Sequence, residues 1–315
     1  MTDRRTSPGL DGVLPLLACP HCSGALGRDH GVVGCSSGHR FDIARQGYLS
    51  LLGSTARTDT ADSAAMVAAR AGFLATGHYR PIADALADRV EAGPVLEVGA
   101  GTGYYLGVVL DRMTGALAPD AVGLALDSSR YAARRAAAAH PRIGSIVADA
   151  WSRLPIRDGV VGVVLSVFAP RDPAEIVRVL APGGRVLVVT PEPDHLVEIR
   201  AALGLLTVDA GKPERLAAAF GDWLRPACQL ELRRTMRLTP ADVDAVAGMG
   251  PSARHIAPDR QRAAVAELAD VTDVTLAVTV TVLQAPTVLK APTVLKAPTV
   301  LPAPTVLPAP TPDDR

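Results

Sequence analysis

Four residues near the start of the chain have the types and spacing of a metal site. Cys19-Pro20-His21-Cys22, then Cys35 and His39, read C-x2-C-x12-C-x3-H. Two short turns of this kind can bring three thiolates and one imidazole to a tetrahedral zinc ion. With every position filled by protein, that Zn2+ would be structural. Disulfides are the alternative, and they need an oxidising compartment; Cys228 stands far away and alone. His21 competes for the fourth place, but His39 closes the knuckle with better spacing. Few apolar side chains lie between these residues, so metal is expected to provide the module's folding energy. A second group is Leu96-Glu97-Val98-Gly99-Ala100-Gly101-Thr102-Gly103-Tyr104-Tyr105. An apolar run ends in an acid and three alternating glycines before a helical pattern. That is a buried strand turning sharply into a helix, with main chain bare enough for a ligand to approach.

A dinucleotide fingerprint would read G-x-G-x-x-G, but Tyr104 stands where its third glycine belongs. Glu97 followed by G-x-G-x-G resembles motif I of the S-adenosylmethionine (AdoMet) methyltransferases. That resemblance implies that Glu97, Gly99, Gly101, Thr102 and Gly103 hold the cofactor. The alternative is a glycine-rich turn in some other doubly wound protein. Asp127 ends the next strand, where an acid can take both ribose hydroxyls; with the glycine loop at the correct distance this is favoured over the alternative, a cap on the following helix. Asp149 ends the third strand, where an adenine amino group is often read; simple capping is again the alternative.

The elements that must position these groups follow in order. Asp62-Ser63 caps a helix through about Leu74 with Met66, Ala69, Arg70 and Phe73 at helical spacing, and Pro81 opens a second. From Val95 onward strands alternate with helices: Val122–Leu126, Ser145–Ala148, Gly159–Phe168 and Arg185–Thr190, as in a doubly wound parallel sheet. Two last strands are expected at 226–238 and 271–283. By itself Tyr79 reads as a packing residue and His195 as a cap or surface residue. No Asn/Asp-Pro-Pro-Tyr/Phe run follows the fourth strand, which disfavours methylation of an exocyclic amino group.

Of the 315 residues, 48% are hydrophobic and only 3% aromatic, so the core is built from Ala, Val and Leu. Net charge is zero, so no global field attracts RNA or membrane. Residues 1–58 carry a net charge of +2, a weak electrostatic footprint. No apolar run reaches the roughly 20 residues needed to span a bilayer, and the N-terminus makes a poor signal peptide. The expected localisation is cytoplasmic. The expected domains are 1–58, a zinc-binding module; 59–283, the AdoMet-dependent domain; and 284–315, an extended Pro-rich repeat tail.

The cysteine-histidine pattern, His39-Arg40-Phe41-Asp42, Gly47-Tyr48, Asp62-Ser63, Gly77-His78-Tyr79 and the glycine loop occur here in one order. Together they resemble the bacterial 23S rRNA guanine-N1 methyltransferases of the RlmA type, including the tylosin-resistance branch, over about Leu17 to Leu283. The resemblance implies an α/β fold: an N-terminal zinc-binding module, then a Rossmann-like class I methyltransferase domain. It implies 23S rRNA as partner, gripped at a domain II hairpin near the peptide exit tunnel, with one loop guanine methylated at N1. It also places Tyr79 and His195 beside Thr102 and Gly103 at the AdoMet site. No residue announces itself as a base for the N1 proton; Asp149, His195 and water are the candidates, and the catalytic residue is unassigned. The competing readings are a methyltransferase of a small molecule or protein, and a non-catalytic zinc RNA-binding protein. The oligomeric state, a homodimer included, is open.

Overall fold

A computed structural model describes residues 8–29, 31–53, 61–113, 121–206, 218–221 and 223–286. Its strands are β1 (Leu26–Asp29), β2 (Val32–Cys35), β3 (Arg40–Asp42), β4 (Tyr48–Ser50), β5 (Val95–Val98), β6 (Gly123–Asp127), β7 (Ile143–Val147), β8 (Val161–Val167), β9 (Leu180–Pro191), β10 (Arg225–Leu238) and β11 (Thr272–Gln284). The helices that matter below are α1 (Pro8–Val13), α2 (Ala64–Ala75), α3 (Arg80–Ala87), α4 (Tyr104–Arg112), α5 (Arg130–Ala136), α6 (Pro173–Val179) and α7 (Val197–Leu203).

Eight strands form one sheet in the order β10-β11-β9-β8-β5-β6-β7-β4. Every pairing from β4 to β9 is parallel, and β11 and β10 close the far edge antiparallel. The central strands are buried on both faces, as a parallel sheet requires. Val95, Ala125, Val163 and Leu187 point into one layer with Phe73, Ile82, Leu106 and Leu110. Their neighbours Leu96, Leu124, Val164 and Val186 point into the other with Leu10, Val13, Leu49 and Ile176. Period-2 alternation thus feeds two cores from one sheet. The order reverses at β5, so the ends of β5, β6 and β8 open on a common crevice.

The doubly wound sheet and each expected strand are present. The expected boundary at residue 58 falls in 54–60, outside the described residues. Chain before it contributes to the same body: β4 adds a parallel edge strand on β7, and α1 lies against β7. The small antiparallel sheet β1-β2-β3 docks through the bridge Leu17–Ile156 and through the Ala18 N–H, which donates to the Pro155 carbonyl at 3.0 Å. Cys19, Leu26 and Val33 share a core with Leu154 and Ile156. Burial on the body therefore supports the cysteine module alongside any metal. Of the repeat tail, 287–315 lies outside the described residues.

The contact of α1 with β7 is tight enough to test. A Cβ on Gly144 would stand 2.1 Å from Val13 Cγ2 and 2.7 Å from the Gly9 carbonyl oxygen. Gly144→Ala is expected to lower stability by about 1–3 kcal/mol, measured by urea denaturation. An unchanged midpoint would mean that α1 does not press on the sheet.

Candidate functional site

The loop leaving β5 is held from below and from the side. Glu97 is 1% exposed, and its Oε2 accepts the Leu106 N–H at 3.2 Å, tying the strand to α4. Burial, with the Asp127 charge acting the same way, pushes the Glu97 carboxyl up to about 8 against that hydrogen bond. Gly99, Gly101 and Gly103 all have positive φ, at 68°, 54° and 76°, a region that costs other residues strain. Their missing side chains serve packing at two of the three positions. A Cβ on Gly99 would lie 2.6 Å from Ala169 Cβ, and one on Gly103 would lie 3.0 Å from Ala136 Cα of α5. The expectation that all three glycines are bare toward a ligand is corrected accordingly. Thr102 lies half-buried between them.

Asp127 connects this loop to the next unit of the sheet. Its Oδ2 accepts the Gly101 N–H and its Oδ1 the Ser129 N–H, both at 2.8 Å. Burial raises its pKa, and those two N–H groups work against the rise. Each oxygen has further lone-pair capacity, so ribose hydroxyls fit the donor set. A cleft of about 460 Å³ opens beside it, bounded by Ser128, Ser129, Asp62 and Tyr48. Asp149 is buried and accepts the Trp151 N–H at 2.9 Å and the Ser152 hydroxyl at 3.0 Å. Both acids thus make the capping contacts that were the alternative to ligand binding.

A buried aromatic group stands at the tips of β8 and β9. The Ala277 N–H donates to His195 Nδ1 at 3.3 Å, so that nitrogen is unprotonated. The neutral ring then carries its proton on Nε2 and donates it to Tyr79 Oη at 3.0 Å. The Tyr79 O–H is consequently aimed elsewhere. Burial, and to a lesser degree the nearby Arg200, lowers the His195 pKa to about 4, and burial raises that of Tyr79. His195 is thus a buried partner of Tyr79, correcting its reading as a surface or cap residue. With both nitrogens engaged, it is no free base. Phe168 stacks on His195 with centroids 5.9 Å apart, is 41% exposed, and has φ 52°. Leu196 beside it has φ 58°; two non-glycine residues in this region mark strain held by their surroundings.

Cys19, Cys22, Cys35 and His39 come together, with one donor atom from each lying within 4.8 Å of the others. Cys22 Sγ and Cys35 Sγ are 3.6 Å apart, and His39 Nδ1 is 3.5 Å from Cys19 Sγ and 3.3 Å from Cys35 Sγ. A tetrahedral zinc with ordinary bond lengths would separate sulfurs by about 3.8 Å and sulfur from nitrogen by about 3.5 Å. The donor set fits zinc. His21 is outside it, stacked on Phe41 at 5.8 Å and tilted on the His39 ring. The Cys22 thiol is pulled down to about 6, first by the Ser37 side chain and then by the Gly24 backbone.

Sequence reasoning missed Phe168 and Arg70. Phe168 ends the apolar run of the fourth strand, whose tip is expected to face substrate, but nothing marked its ring for a role, and Arg70 was one more residue at helical spacing. Arg70 lies over the loop: a Cβ on Gly101 would meet its Nη1 at 3.2 Å.

Comparison with known proteins gives the following. The family model described as "RlmA, N-terminal", a zinc ribbon, matches residues 17–57. A Streptomyces fradiae protein named 23S rRNA (guanine(748)-N(1))-methyltransferase is 46% identical over 274 residues, 85% of this chain and 96% of that one. A Micromonospora griseorubida protein, provisionally named a 23S rRNA (guanine-N(1)-)-methyltransferase, is 45% identical over 289 residues, 84% and 96% of the two chains. Among solved structures, the YcgJ protein of Bacillus subtilis aligns with a TM-score of 0.46 at 14% identity, covering 65% of this chain and 97% of that one.

The buried Glu97 has a measurable consequence. Its folded pKa near 8 lies above its ordinary value of 4.5, so its contribution to stability is whole below about 4.5 and is lost as pH rises toward 8. Glu97→Gln keeps the shape and removes the titration. Urea denaturation is expected to show wild type losing on the order of 3–4 kcal/mol relative to the variant between pH 5 and 8. A difference independent of pH would place the carboxylate in water.

Proposed function

The chain belongs to the 23S rRNA (guanine-N1)-methyltransferases of the RlmA type, and from that premise we propose that it methylates N1 of one 23S rRNA guanine using AdoMet. The observation that carries this is the extent of the likeness: 96% of the S. fradiae enzyme aligns with 85% of this chain. The guanine assigned is the one for which that relative is named, position 748, in a loop of a domain II hairpin near the exit tunnel. Resistance to tylosin-type macrolides is the assigned consequence. Among the described residues no helix is long and apolar enough to cross a membrane, and the assigned place of action is the cytoplasm, where the ribosome is.

When bound, AdoMet supplies an electrophilic methyl group on a sulfonium. The rest is alignment, which can be worth many orders of magnitude in rate when the reacting atoms are held in line. In this assignment Asp127 receives the ribose hydroxyls, and Asp149 stands at the adenine end. Gly99, Gly101, Thr102 and Gly103 carry the main chain under the amino-acid portion, above Glu97. Tyr79, fixed by His195, is assigned to the wall of that portion, and the burial of the pair keeps water out. Phe168 offers its exposed ring to the guanine taken from its stack, a cost that is small in a loop. His195 has both ring nitrogens engaged and Asp149 is given to the adenine end, so the N1 proton is assigned to water. Cys19, Cys22, Cys35 and His39 would hold zinc, which would support the fold of the ribbon to which the rRNA hairpin is assigned.

Incubation with 23S rRNA and labelled AdoMet is expected to label RNA and to give one primer-extension stop, at guanine 748. Gly101→Arg, which forces a side chain onto a loop residue at φ 54°, is expected to abolish AdoMet binding and the stop while zinc content is unchanged. Label in protein or a small molecule would support the other methyltransferase reading. Absence of AdoMet binding by wild type would leave a zinc RNA-binding protein.

A further inference from the structure

Arg70 is the residue in the crevice that the assignment above leaves without a role. Ser63 caps α2, its side chain accepting the Met66 N–H, and this fixes the phase at which Arg70 leaves the helix. The guanidinium donates from Nη1 to Asp62 Oδ2 at 2.5 Å and from Nη2 to the Met249 carbonyl at 2.7 Å. Asp62 is also paired with Arg254, at 3.2 Å. The three side chains therefore carry one net positive charge. Arg70 is 25% and Asp62 18% exposed, so the charge is largely buried, and Asp62 also borders the cleft beside Asp127.

Its place over the loop is specific. The three atoms nearest to where a Gly101 Cβ would be are Arg70 Nη1, Cδ and Cζ, at 3.2, 3.3 and 3.9 Å. Gly99 and Gly103 are bare toward Ala169 and α5, so Gly101 is the glycine open toward a group that could meet ligand. Two acids stand near the loop, Asp127 bonded to Gly101 and Asp62 across from it, the latter shared with Arg254, while the buried Glu97 beneath is protonated near neutral pH. Such a crevice suits a ligand whose sulfonium and ammonium need negative neighbours and whose single carboxylate needs a positive one. The planar guanidinium carries more N–H donors than Asp62 and Met249 use, in the fork that matches a carboxylate.

We propose that Arg70 receives the carboxylate of the amino-acid end of AdoMet, with Asp62 and Met249 holding the guanidinium at the loop. This rests on the methyltransferase reading and adds the residue that selects an amino-acid-bearing cofactor. A phosphate of the RNA is the other anion that Arg70 could meet. The carboxylate is favoured because the guanidinium lies against the loop and is mostly buried.

The test is calorimetric titration of the full chain with AdoMet and with decarboxylated AdoMet, which differs by that carboxylate alone. Wild type is expected to bind AdoMet at least tenfold more tightly. In Arg70→Gln the AdoMet affinity is expected to fall by about ten- to a hundredfold, the range for a charged hydrogen-bonded pair, while the decarboxylated compound is held within twofold. Arg70→Lys keeps the charge without the fork and is expected to fall between; it decides the matter should the Gln variant not fold. Equal affinity of wild type for the two compounds overturns the proposal. So does equal weakening of both by either variant, or a variant that loses RNA affinity with unchanged preference between the cofactors. Wild type that binds neither compound contradicts the methyltransferase reading itself.

Discussion

One carboxylate couples the parts of this site. Asp127 is the last residue of its strand, and its two oxygens each accept a backbone N–H, one from the loop after the neighbouring strand and one from the turn into α5. A carboxylate at this depth is costly unless hydrogen bonded, and the two N–H groups supply what water would have given. In return the loop cannot lift without breaking a charge-assisted bond. The tight packing of Gly103 on Ala136 and Ala139 follows from the same closure, because it brings α5 onto the loop.

The other groups at this end of the sheet depend on that fixed loop for their meaning. Glu97 ties the strand beneath to α4, and Arg70 covers the loop from α2. The Tyr79–His195 pair closes the side toward β8 and β9, with one tautomer imposed by a backbone N–H of β11. Charged side chains, the acids Asp127 and Asp62 with Arg70 and Arg254, therefore gather near the loop, while Tyr79, His195 and Phe168 form an aromatic group. That division matches a zwitterionic, cationic cofactor on one side and a flat base on the other.

Much of this was legible in the residues. The apolar runs with period-2 neighbours and the glycine loop located the sheet, because a parallel sheet has to bury both faces of its central strands. The spacing of Cys19, Cys22, Cys35 and His39 located the ribbon, because the ligand geometry permits few alternatives. What stayed hidden was whatever depends on contacts distant in sequence. The partners of His195 are Tyr79 and the β11 backbone, 116 and 82 residues away. The approach of α1 and β4 to β7 joins the ribbon region to the larger sheet, yet each of those segments is too short to carry a periodic signal. Arg70 looked like any helix residue until Ser63 and Asp62 set its direction.

The ribbon's place on the body completes the picture: its cysteines hang from a segment whose apolar residues share a core with the larger sheet. The most direct measurement is a crystal structure with S-adenosylhomocysteine. The account expects both ribose hydroxyls on Asp127, with its bonds to the Gly101 and Ser129 N–H groups intact. A nucleoside seated away from that carboxylate, or an Asp127 turned off the loop to admit it, would contradict it.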